Sequence, residues 1–358
     1  MKTLTRYLIA DVVRNSLLVL LALLGLFLFF DLINELRDLG HGGYTFGKLL
    51  AYVVLLAPGH AYELMPIAVL IGGMIGLSLL NQFSELTVMR VAGLSLRRLL
   101  GILVLAGLLF SLATLAAGEY LAPKAERAAI QLLLSAKGQL LTQDSRSGFW
   151  QREDGNFVNV REVLPDRTLR HVQYYGFDTA QRMNVLAYAE RGEWQAQERA
   201  WKLSKLTFTH FDDKGIRIEQ RAEYLWRSSL TPDTLSVLML QPEQMSVLTL
   251  LDYIDHLRRN QQKTSRYEIA LWTKLVYPLA CLAMLVIALP FAQTSRRSGG
   301  VGMKLFVGIM LGLGFYFVNK LVGTWGLLYD WPPLLAASLP TLLFLLLAVI
   351  LLYRQEQR

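Results

Sequence analysis

A polar stretch between two long apolar runs, about residues 84–93, has the residue types of a short surface helix. It offers a capping hydroxyl, a carboxylate in the first turn where the helix dipole favours negative charge, and apolar and basic side chains at helical spacing. These residues are Ser84, Glu85, Leu86, Met89 and Arg90, and Gly93 suits the C-terminal cap. Such a helix can dock on a soluble partner, or it can lie at the lipid interface and turn the chain. The residues leave both interpretations open.

Signatures of enzymes and metal sites are missing from the sequence. Residues 299–304 are rich in glycine and end in lysine, but they lack the spacing and the following Ser or Thr of a phosphate-binding loop. Neither an H-E-x-x-H nor a G-x-S-x-G motif occurs, and the five histidines are scattered. The acids Asp212 and Asp213 precede a Lys-Gly turn, and the single cysteine excludes an intramolecular disulfide and a cysteine zinc site. The sequence therefore predicts no enzyme, metal or cofactor on this chain.

The composition is that of a membrane protein. Of the 358 residues, 53% are hydrophobic and only 18% are charged, and the mean hydropathy is +0.36. A soluble domain carries roughly 25% charged residues. A bilayer core about 30 Å thick needs about 20 mostly apolar residues in a helix. Six segments qualify as transmembrane helices: about 12–36, 58–80, 99–121, 269–292, 305–328 and 333–353.

The basic residues lie beside the apolar runs, which indicates a membrane orientation rather than nucleic-acid binding, although the net charge is +8. Eleven lysines and arginines flank the runs on the side that carries both termini. The short loops opposite hold only Arg37 and Lys48. Because positively charged loops stay in the cytoplasm, both termini are predicted to be cytoplasmic and the segment 122–268 to face outward.

The long segment between the third and fourth apolar runs alternates between apolar and polar residues with period two. Turn signals such as Asp154-Gly155 separate the short apolar runs, which predicts a β-sandwich, jelly roll or barrel. Residues 246–259 carry apolar side chains at helical spacing and predict an amphipathic helix. The predicted domains are three spans over 1–121, a β domain over 122–245, a connecting helix over 246–267 and three spans over 268–358.

Several short motifs, taken in this order along the chain, resemble the LptF/LptG family of lipopolysaccharide export permeases. Residues 84–93 are similar to the family's coupling helix, and the motifs at 118–123, 156–158, 230–233 and 266–267 also match. The Leu-Thr-Pro-Asp motif at 230–233 and the later Arg-Tyr…Trp-Thr-Lys pattern favour the G-type subunit. The resemblance implies a membrane α-helical fold of six transmembrane helices, three on each side of an inserted periplasmic all-β jelly-roll-like domain.

The resemblance also implies a role and partners. The chain would be a permease subunit of an ABC transporter in the Gram-negative inner membrane, and it would extract lipopolysaccharide and pass it to a periplasmic bridge. It would pair with the paralogous LptF permease on a dimer of the LptB ATPase, and with LptC, a bitopic membrane protein with its own jelly roll. ATP and Mg²⁺ would bind the ATPase and not this chain, and the helix at 84–93 would couple the two.

Basic residues near the outer interface are the candidate contacts to the substrate under this resemblance, because lipid A carries phosphates. They are Arg37, Lys124, Arg127, Lys137 and Lys320, with Lys48 and Lys274 at a similar depth. A snorkelling anchor is the alternative role for Arg37, and Lys320 can face a cavity or snorkel outward. If the β domain guides acyl chains, a set of inward positions should be buried or line a groove. These positions are Phe157, Val172, Tyr174, Phe208 and Ile218.

The sequence departs from the family pattern at two places. Asp31 occupies the register in the first span where G-type subunits carry a lysine, and Ile130 and Leu133 stand near the positions of two arginines. Two other functions compete with transport. A membrane coupler would transmit an ATPase cycle without moving lipid. A glycolipid-modifying enzyme would need clustered acids, and Glu63, Glu119 and Asp330 are too dispersed in the sequence to form such a cluster.

Overall fold

In the computed structural model, long apolar helices form a bundle, and one antiparallel sheet is inserted between its third and fourth spans. The structure describes residues 2–40, 43–137, 149–153, 155–163, 168–178, 182–212, 215–228, 230–231, 241–259, 261–293 and 301–356. The loop at 294–300 and the second half of the Leu-Thr-Pro-Asp motif lie outside the described residues, as does the side chain of Lys137. Among the residues described, five helices are long and apolar enough to cross a membrane, and a bent helix pair is the candidate for a sixth span.

The first half of the chain is helical throughout the residues described, apart from short turns. The helices are α1 (Lys2–Leu36), α2 (Phe46–Gln82), α3 (Glu85–Val91), α4 (Leu96–Ala116) and α5 (Ala122–Lys137). A π-helical segment, Ala117–Leu121, joins α4 to α5. A helix satisfies its own backbone donors and acceptors, which apolar sequences in lipid require.

The third span continues beyond residue 121, where the β domain was predicted to begin. The span runs from Leu96 to Leu133, and α5 ends at Lys137, so residues 122–137 are helical. Pro123 lacks a backbone N–H, and the π-helical segment before it shifts the hydrogen bonding so that the Ala122 N–H reaches the Ala117 carbonyl. Proline is tolerated in the first turn of a helix. The helix α5 can therefore begin at Ala122, where the sequence predicted that the span ends and the β domain begins.

The second half of the chain supplies the connecting helix and the last three spans. Its helices are α6 (Val247–Arg259), α7 (Ser265–Val276), α8 (Leu279–Gln293), α9 (Val301–Leu328) and α10 (Pro333–Glu356). The helices α7 and α8 meet at 48° and together are the candidate fourth span. Pro278 lies at the bend, where its missing N–H interrupts the helical ladder. Its carbonyl instead accepts a hydrogen bond from the Ser111 hydroxyl of α4 at 2.7 Å.

The inserted domain contains one six-stranded antiparallel sheet within the residues described. The strands are β1 (Phe149–Glu153), β2 (Asn156–Val163), β3 (Leu169–Phe177), β4 (Met183–Gln195), β5 (Ala200–Asp212) and β6 (Gly215–Trp226). Their order in the sheet is their order in the chain, so each strand pairs with the next. The apolar face buries Val160, Val172, Leu206 and Trp201, and the Trp201 indole N–H donates to the Leu230 carbonyl at 2.5 Å.

The centre of the bundle is formed by α2 and α8, whose side chains are the most thoroughly buried. Small residues allow neighbouring helices to approach α2 closely. A Cβ on Gly72 would lie 2.3 Å from the Ser16 Cα of α1, and one on Gly312 of α9 would lie 2.8 Å from Ile67. The G-x-x-x-G pairs at 72/76 and 308/312 thus serve helix packing, as small residues do in membrane bundles.

Candidate functional site

The short helix α3 connects α2 to α4 at the end of the bundle that carries the N-terminus. Gly93 ends it in a left-handed conformation, with φ of +100°. The Gly93 N–H donates to the Arg90 carbonyl and the Leu94 N–H to the Met89 carbonyl, which is the Schellman pattern. Ser84 occupies the N-terminal cap position, but it adopts φ 62° and its side chain makes no capping hydrogen bond. The predicted side-chain cap is therefore wrong, while the predicted helix and its glycine C-terminus are present.

The two faces of α3 differ from the predicted assignment. Leu86 is only 2% exposed and belongs to the core formed with α1, α2 and α4, and Met89 packs partly against that core. Leu86 therefore does not project towards a partner, whereas Met89 is half-buried. The outward apolar residues are Phe83, Val88 and Val91, the last of which is 85% exposed. Val88 and Val91 are three residues apart and share one face of the helix, while Phe83 is exposed in the turn before it. Together these three exposed residues are called the apolar patch.

Glu85 links α3 to the first helix. The Tyr7 hydroxyl of α1 donates to Glu85 Oε2 at 2.8 Å, across 78 residues of sequence. The carboxylate lies in the first turn of α3, where the helix dipole stabilises it. A force applied to α3 therefore reaches α1 directly, through one hydrogen bond and through the packing of Leu86.

A polar chamber lies at the opposite end of the bundle, between α1, α2, α5, α7 and α9. Its volume is about 200 Å³. Its charged lining consists of four carboxylates and three basic side chains, namely Asp31, Glu63, Glu126, Glu243, His60, Lys274 and Lys320. His60 Nε2 lies 2.6 Å from Asp31 Oδ2, which joins α1 to α2. Asp31 therefore forms a local ion pair or charge-assisted hydrogen bond with His60.

Two glycines make room for the chamber. A Cβ on Gly59 would lie 2.3 Å from Glu126 Oε1, and a Cβ on Gly118 would lie 2.5 Å from the Tyr62 ring. Gly118 is in the π-helical segment, so the irregular turn brings Tyr62 and α5 together at the chamber wall. Glu126 Oε2 is buried and has no hydrogen-bond partner among the described residues. The chamber thus presents buried polar groups to anything that enters it.

A second cavity of about 180 Å³ adjoins the chamber between α7 and α9, and both share Lys274 and Lys320. Lys320 lines both cavities and is also exposed, so its two predicted placements stay open. Lys274 is buried and donates to the Met245 carbonyl. Its aliphatic stem and ammonium group therefore lie between the spans and the base of the inserted domain.

The other predicted basic residues are not gathered in the chamber. Arg37 is exposed in the turn after α1, and Lys48 is exposed and donates to the Gly43 carbonyl at 2.9 Å. Lys124 is exposed on α5, and Arg127 donates to the Thr249 hydroxyl of α6 at 2.9 Å. Arg127 thus anchors the connecting helix. In the turn between α1 and α2, burial raises the pKa of the Tyr44 hydroxyl, and the hydrogen bond that this hydroxyl donates to Glu35 also raises it.

The apolar face of the sheet encloses a groove of about 280 Å³. Val172, Tyr174, Phe208, Leu206, Tyr224 and Trp226 line it, with Glu153 and Arg227 among the polar lining residues. Three of the five predicted inward positions therefore lie in the groove. A hydrogen bond from the sheet to α6, Gln151 with His256 at 3.4 Å, joins the sheet to the helix above the membrane spans.

Phe157 and Ile218, the other two predicted inward positions, face away from the groove and are exposed. Alternation along the strands explains both corrections, because Phe157 precedes the buried Val158 and so points to the opposite face. Ile218 pairs with Thr209, one residue out of phase with Phe208, and lies on the edge strand β6. Period-two spacing alone does not identify which phase of a strand faces inward.

The chamber also contains residues that were not among the predicted site residues. His60 and Glu63 lie within the second predicted span, and Glu126 lies one turn beyond the third. An ionisable side chain within an apolar run is itself a sign of a cavity or a polar partner, so His60 could have been found. Glu63 is far from the other acids in the sequence, but the fold brings it beside other acids in the chamber. Glu119 instead accepts from the Val247 N–H, and Asp330 pairs with Lys263.

Comparisons with known proteins agree over nearly the whole chain. Residues 6–354 match the protein family described as lipopolysaccharide export system permease LptF/LptG. The chain is 30% identical over 347 residues to the lipopolysaccharide export system permease protein LptG of Escherichia coli strain K12, covering 96% of this chain and 95% of that protein. It is also 30% identical over 355 residues to the LptG protein of Haemophilus influenzae, covering 99% of both.

Proposed function

Because the chain belongs to the LptF/LptG family of lipopolysaccharide export system permeases, we propose that it is the G-type permease subunit of an ABC transporter. In this function it extracts lipopolysaccharide from the inner membrane and passes it to a periplasmic bridge. ATP hydrolysis on a partner subunit supplies the work. The chain itself is a transport component and performs no covalent chemistry.

The observation that carries the proposal is the groove on the apolar face of the sheet, which lies beyond the chamber at the outer end of the spans. Acyl chains that leave the membrane need an apolar surface, because exposing each buried CH₂ to water costs about 0.8 kcal/mol. Val172, Tyr174 and Phe208 provide that surface. The polar head group would remain near Lys320 and Lys274 in the chamber below.

The orientation of the chain follows from its charges. Both termini and α3 lie in the cytoplasm in this proposal, since the loops at that end carry most of the lysines and arginines. The sheet then lies in the periplasm of a Gram-negative cell. Arg37, Lys124 and Arg127 are at the outer interface, where Arg37 and Lys124 are exposed and available to lipid A phosphates.

Energy enters through α3. The exposed apolar patch of Phe83, Val88 and Val91 seats in a notch on the ATPase, and Arg90 meets an acid beside it. The ATPase is a dimer of LptB, which holds the ATP and Mg²⁺. The hydrogen bond between Tyr7 and Glu85 then passes the movement of α3 to α1, and Asp31 on α1 carries it to His60 at the chamber.

The remaining partners bind along α1 and the sheet. Much of α1 outside its contact with α2 is exposed and apolar, which suits packing against the spans of LptF and LptC. The strand β6 is an edge strand whose side chains are almost all exposed. An unpaired edge can extend the sheet by pairing with a strand of another periplasmic domain.

Photocrosslinking in the assembled complex tests the proposal. A photoreactive residue replaces Phe208 in the groove, and a matched control replaces Ile218 on the opposite face of the same sheet. We expect lipopolysaccharide to crosslink at position 208 only when ATP is hydrolysed, and not at position 218. If position 208 and a probe at Asn319 beside the chamber both stay free of lipid during export, the chain is a coupler and transport lies elsewhere.

A charge reversal tests the energy coupling separately. Glu85→Lys removes the hydrogen-bond acceptor of Tyr7 and places a cation at the N-terminal end of α3, where the helix dipole disfavours it. We expect lipopolysaccharide export to fall sharply while the folded membrane domain persists. A pull-down distinguishes loss of ATPase association from loss of coupling. Unchanged association and export would show that α3 is a simple turn at the lipid interface.

A further inference from the structure

The π-helical segment of the third span, Ala117–Leu121, brings a carboxylate to the connecting helix. Glu119 Oε2 accepts a hydrogen bond from the Val247 backbone N–H of α6 at 2.8 Å, across 128 residues of sequence. The neighbouring residue, Gly118, lies against the Tyr62 ring of α2. Single π-helical turns inside longer helices are frequent at functional sites. Two successive residues of this turn therefore join the third span to α2 and to α6.

The Glu119 carboxylate satisfies a donor that α6 cannot satisfy by itself. The first N–H groups of a helix have no acceptor within the helix, and Val247 is the first residue of α6. The Thr249 N–H, two residues later, donates to the Ser246 hydroxyl at 3.2 Å, so the start of the helix has two separate caps. The helix dipole also favours a carboxylate at this end. Glu119 is therefore a long-range cap that ties the start of α6 to the third span.

The capped end of α6 is also where the chain returns from the sheet to the spans. The last strand ends at Trp226, and residues 241–246 lead directly into α6. The Met245 side chain is fully buried, and its carbonyl accepts a hydrogen bond from Lys274 of the chamber. Further along α6, His256 contacts Gln151 of β1 at 3.4 Å. The position of α6 on the bundle therefore helps to set the position of the sheet.

We propose that Glu119 is a positioning residue for lipid transfer: its hydrogen bond to Val247 holds α6, and through α6 the sheet, at a fixed position relative to the chamber. The inference rests on the proposed function, in which lipid leaves the chamber for the groove of the sheet. A groove whose position fluctuates is aligned with the chamber for a smaller fraction of the time, and it receives acyl chains less often in proportion.

An electrostatic role is the alternative for Glu119, because its charge also interacts with that of Lys274 in the chamber. The two roles have different requirements. The hydrogen bond needs an acceptor oxygen at position 119 and an N–H at position 247. The electrostatic role needs only the negative charge. Variants at the two positions can therefore distinguish them.

Four variants separate the hydrogen bond from the charge. Glu119→Ala removes both, whereas Glu119→Gln removes the charge and keeps an acceptor oxygen. Val247→Pro removes the donor and leaves Glu119 intact, and proline is well tolerated at the first position of a helix. Asp255→Ala is the matched control, because it removes an exposed carboxylate of α6 that pairs with Arg259 of the same helix.

Distances between two spin labels measure the position of the sheet without any lipid substrate. The full-length chain carries the labels at Arg199→Cys, in the turn between β4 and β5, and at Tyr329→Cys, which is exposed just after α9. We expect a narrow distance distribution for the wild type, Glu119→Gln and Asp255→Ala. Glu119→Ala and Val247→Pro should each broaden it, and their combination should broaden it no further, because both break the same bond. A wild-type distribution in Val247→Pro overturns the proposal, as does a broad one in Glu119→Gln.

Photocrosslinking in the assembled complex relates this position to transfer. The measured quantity is the ratio of lipopolysaccharide crosslinked at position 208 in the groove to that crosslinked at position 319 beside the chamber. Loss of a helix cap typically changes an equilibrium about fivefold, so the ratio should fall about fivefold in Glu119→Ala and in Val247→Pro. It should stay at the wild-type value in Glu119→Gln and Asp255→Ala.

The outcomes separate this inference from the proposed function. An unchanged ratio in Glu119→Ala, with lipid crosslinked at both positions, overturns the positioning role while transport by this chain stands. The expected distance changes with no lipid at either position in the wild type contradict the proposed function, while they confirm that Glu119 holds the sheet.

Discussion

Glu85 is important because of where its carboxylate is held rather than because it is free to meet a partner. It accepts a hydrogen bond from Tyr7 and starts the helix that carries the outward apolar patch. At the far end of α1, Asp31 makes the corresponding contact to His60 on α2. Each of these residues joins two helices, so single side chains link the bundle at both ends of α1.

The division of α3 into an inner and an outer face gives a prediction. Leu86→Ala removes a buried side chain and should lower the free energy of unfolding by about 2–5 kcal/mol. Val91→Asp changes an exposed position, so stability should stay within about 0.5 kcal/mol of the wild type. It should nevertheless weaken ATPase binding more than tenfold, since it places a charge in the proposed apolar contact.

Thermal unfolding in detergent and a pull-down with the ATPase measure the two effects. The pair provides its own control, because one variant should change mainly stability and the other mainly association. Normal association by Val91→Asp would show that the exposed patch is not the docking face.

At the scale of the elements, long periodic segments were predictable and their ends were not. The apolar runs identified the spans, because about 20 apolar residues have few alternatives to a transmembrane helix. The continuation of the third span through α5 was missed, since it depends on the π-helical segment before Pro123. The sequence did not predict correctly which face of the sheet carries Phe157. Either set of alternating side chains in a strand can face the core, and only tertiary packing selects one of them.

The chamber was predictable only in part, for a related reason. Lys320 was a candidate because a cation within an apolar run needs a polar environment. His60 and Asp31 are 29 residues apart and meet only because α1 packs along α2. No spacing pattern within a short stretch of sequence predicts that contact. The contact of Arg127 with Thr249 likewise joins residues 122 positions apart.

The close packing of α1 on α2 is directly testable. Gly72→Ala places a Cβ against the backbone of Ser16, which cannot give way without separating the helices. We expect a loss of about 1–3 kcal/mol in the free energy of unfolding, as for other overpacked cores. Gly25→Ala on α1 is the control, because nothing lies within 4 Å of its new Cβ. It should be neutral or stabilising by up to about 1 kcal/mol. Equal unfolding curves for the two variants would contradict the described packing.

The sheet should lose protection in acid. Lys205 and Arg221 hold the pKa of Glu190 and of Glu219 below its usual value of 4.5, mainly through hydrogen bonds at 2.7 and 2.6 Å. Because these pKa values are lower in the folded state, the stabilisation is present above pH 4.5 and is lost as the pH falls through the folded values.

Hydrogen exchange on the full chain, corrected for intrinsic rates, measures this effect. Amides of β4–β6 should be less protected at pH 3 than at pH 7, and Lys205→Gln should reduce the difference. A pH-independent protection pattern in these strands would show that the ion pairs do not stabilise the sheet.

For the whole molecule, the orientation in the membrane can be measured by labelling introduced cysteines, with little reaction of the native chain. The single cysteine, Cys281, is fully buried in α8 and should not react with an impermeant maleimide. Arg199→Cys, in the turn between β4 and β5, should label in cells whose outer membrane has been permeabilised and whose inner membrane is closed. Arg97→Cys, at the start of α4, should label only after the inner membrane is opened. Labelling in the reverse order would invert the proposed topology and remove the sheet from the periplasm.

The order of the strands also determines when the inserted domain can fold during synthesis. Every strand pairs with its neighbour in the chain, so the sheet has all its partners once Trp226 has left the ribosome. The core of the bundle has to wait longer, because Leu70 of α2 packs in one cluster with Ile287 of α8, more than 200 residues later. A nascent chain therefore completes its sheet while its first three spans, which can already pack on one another, still lack their contacts with α8. Until α8 is translated, the face of α2 that it will cover lies against lipid, which solvates an apolar helix at little cost.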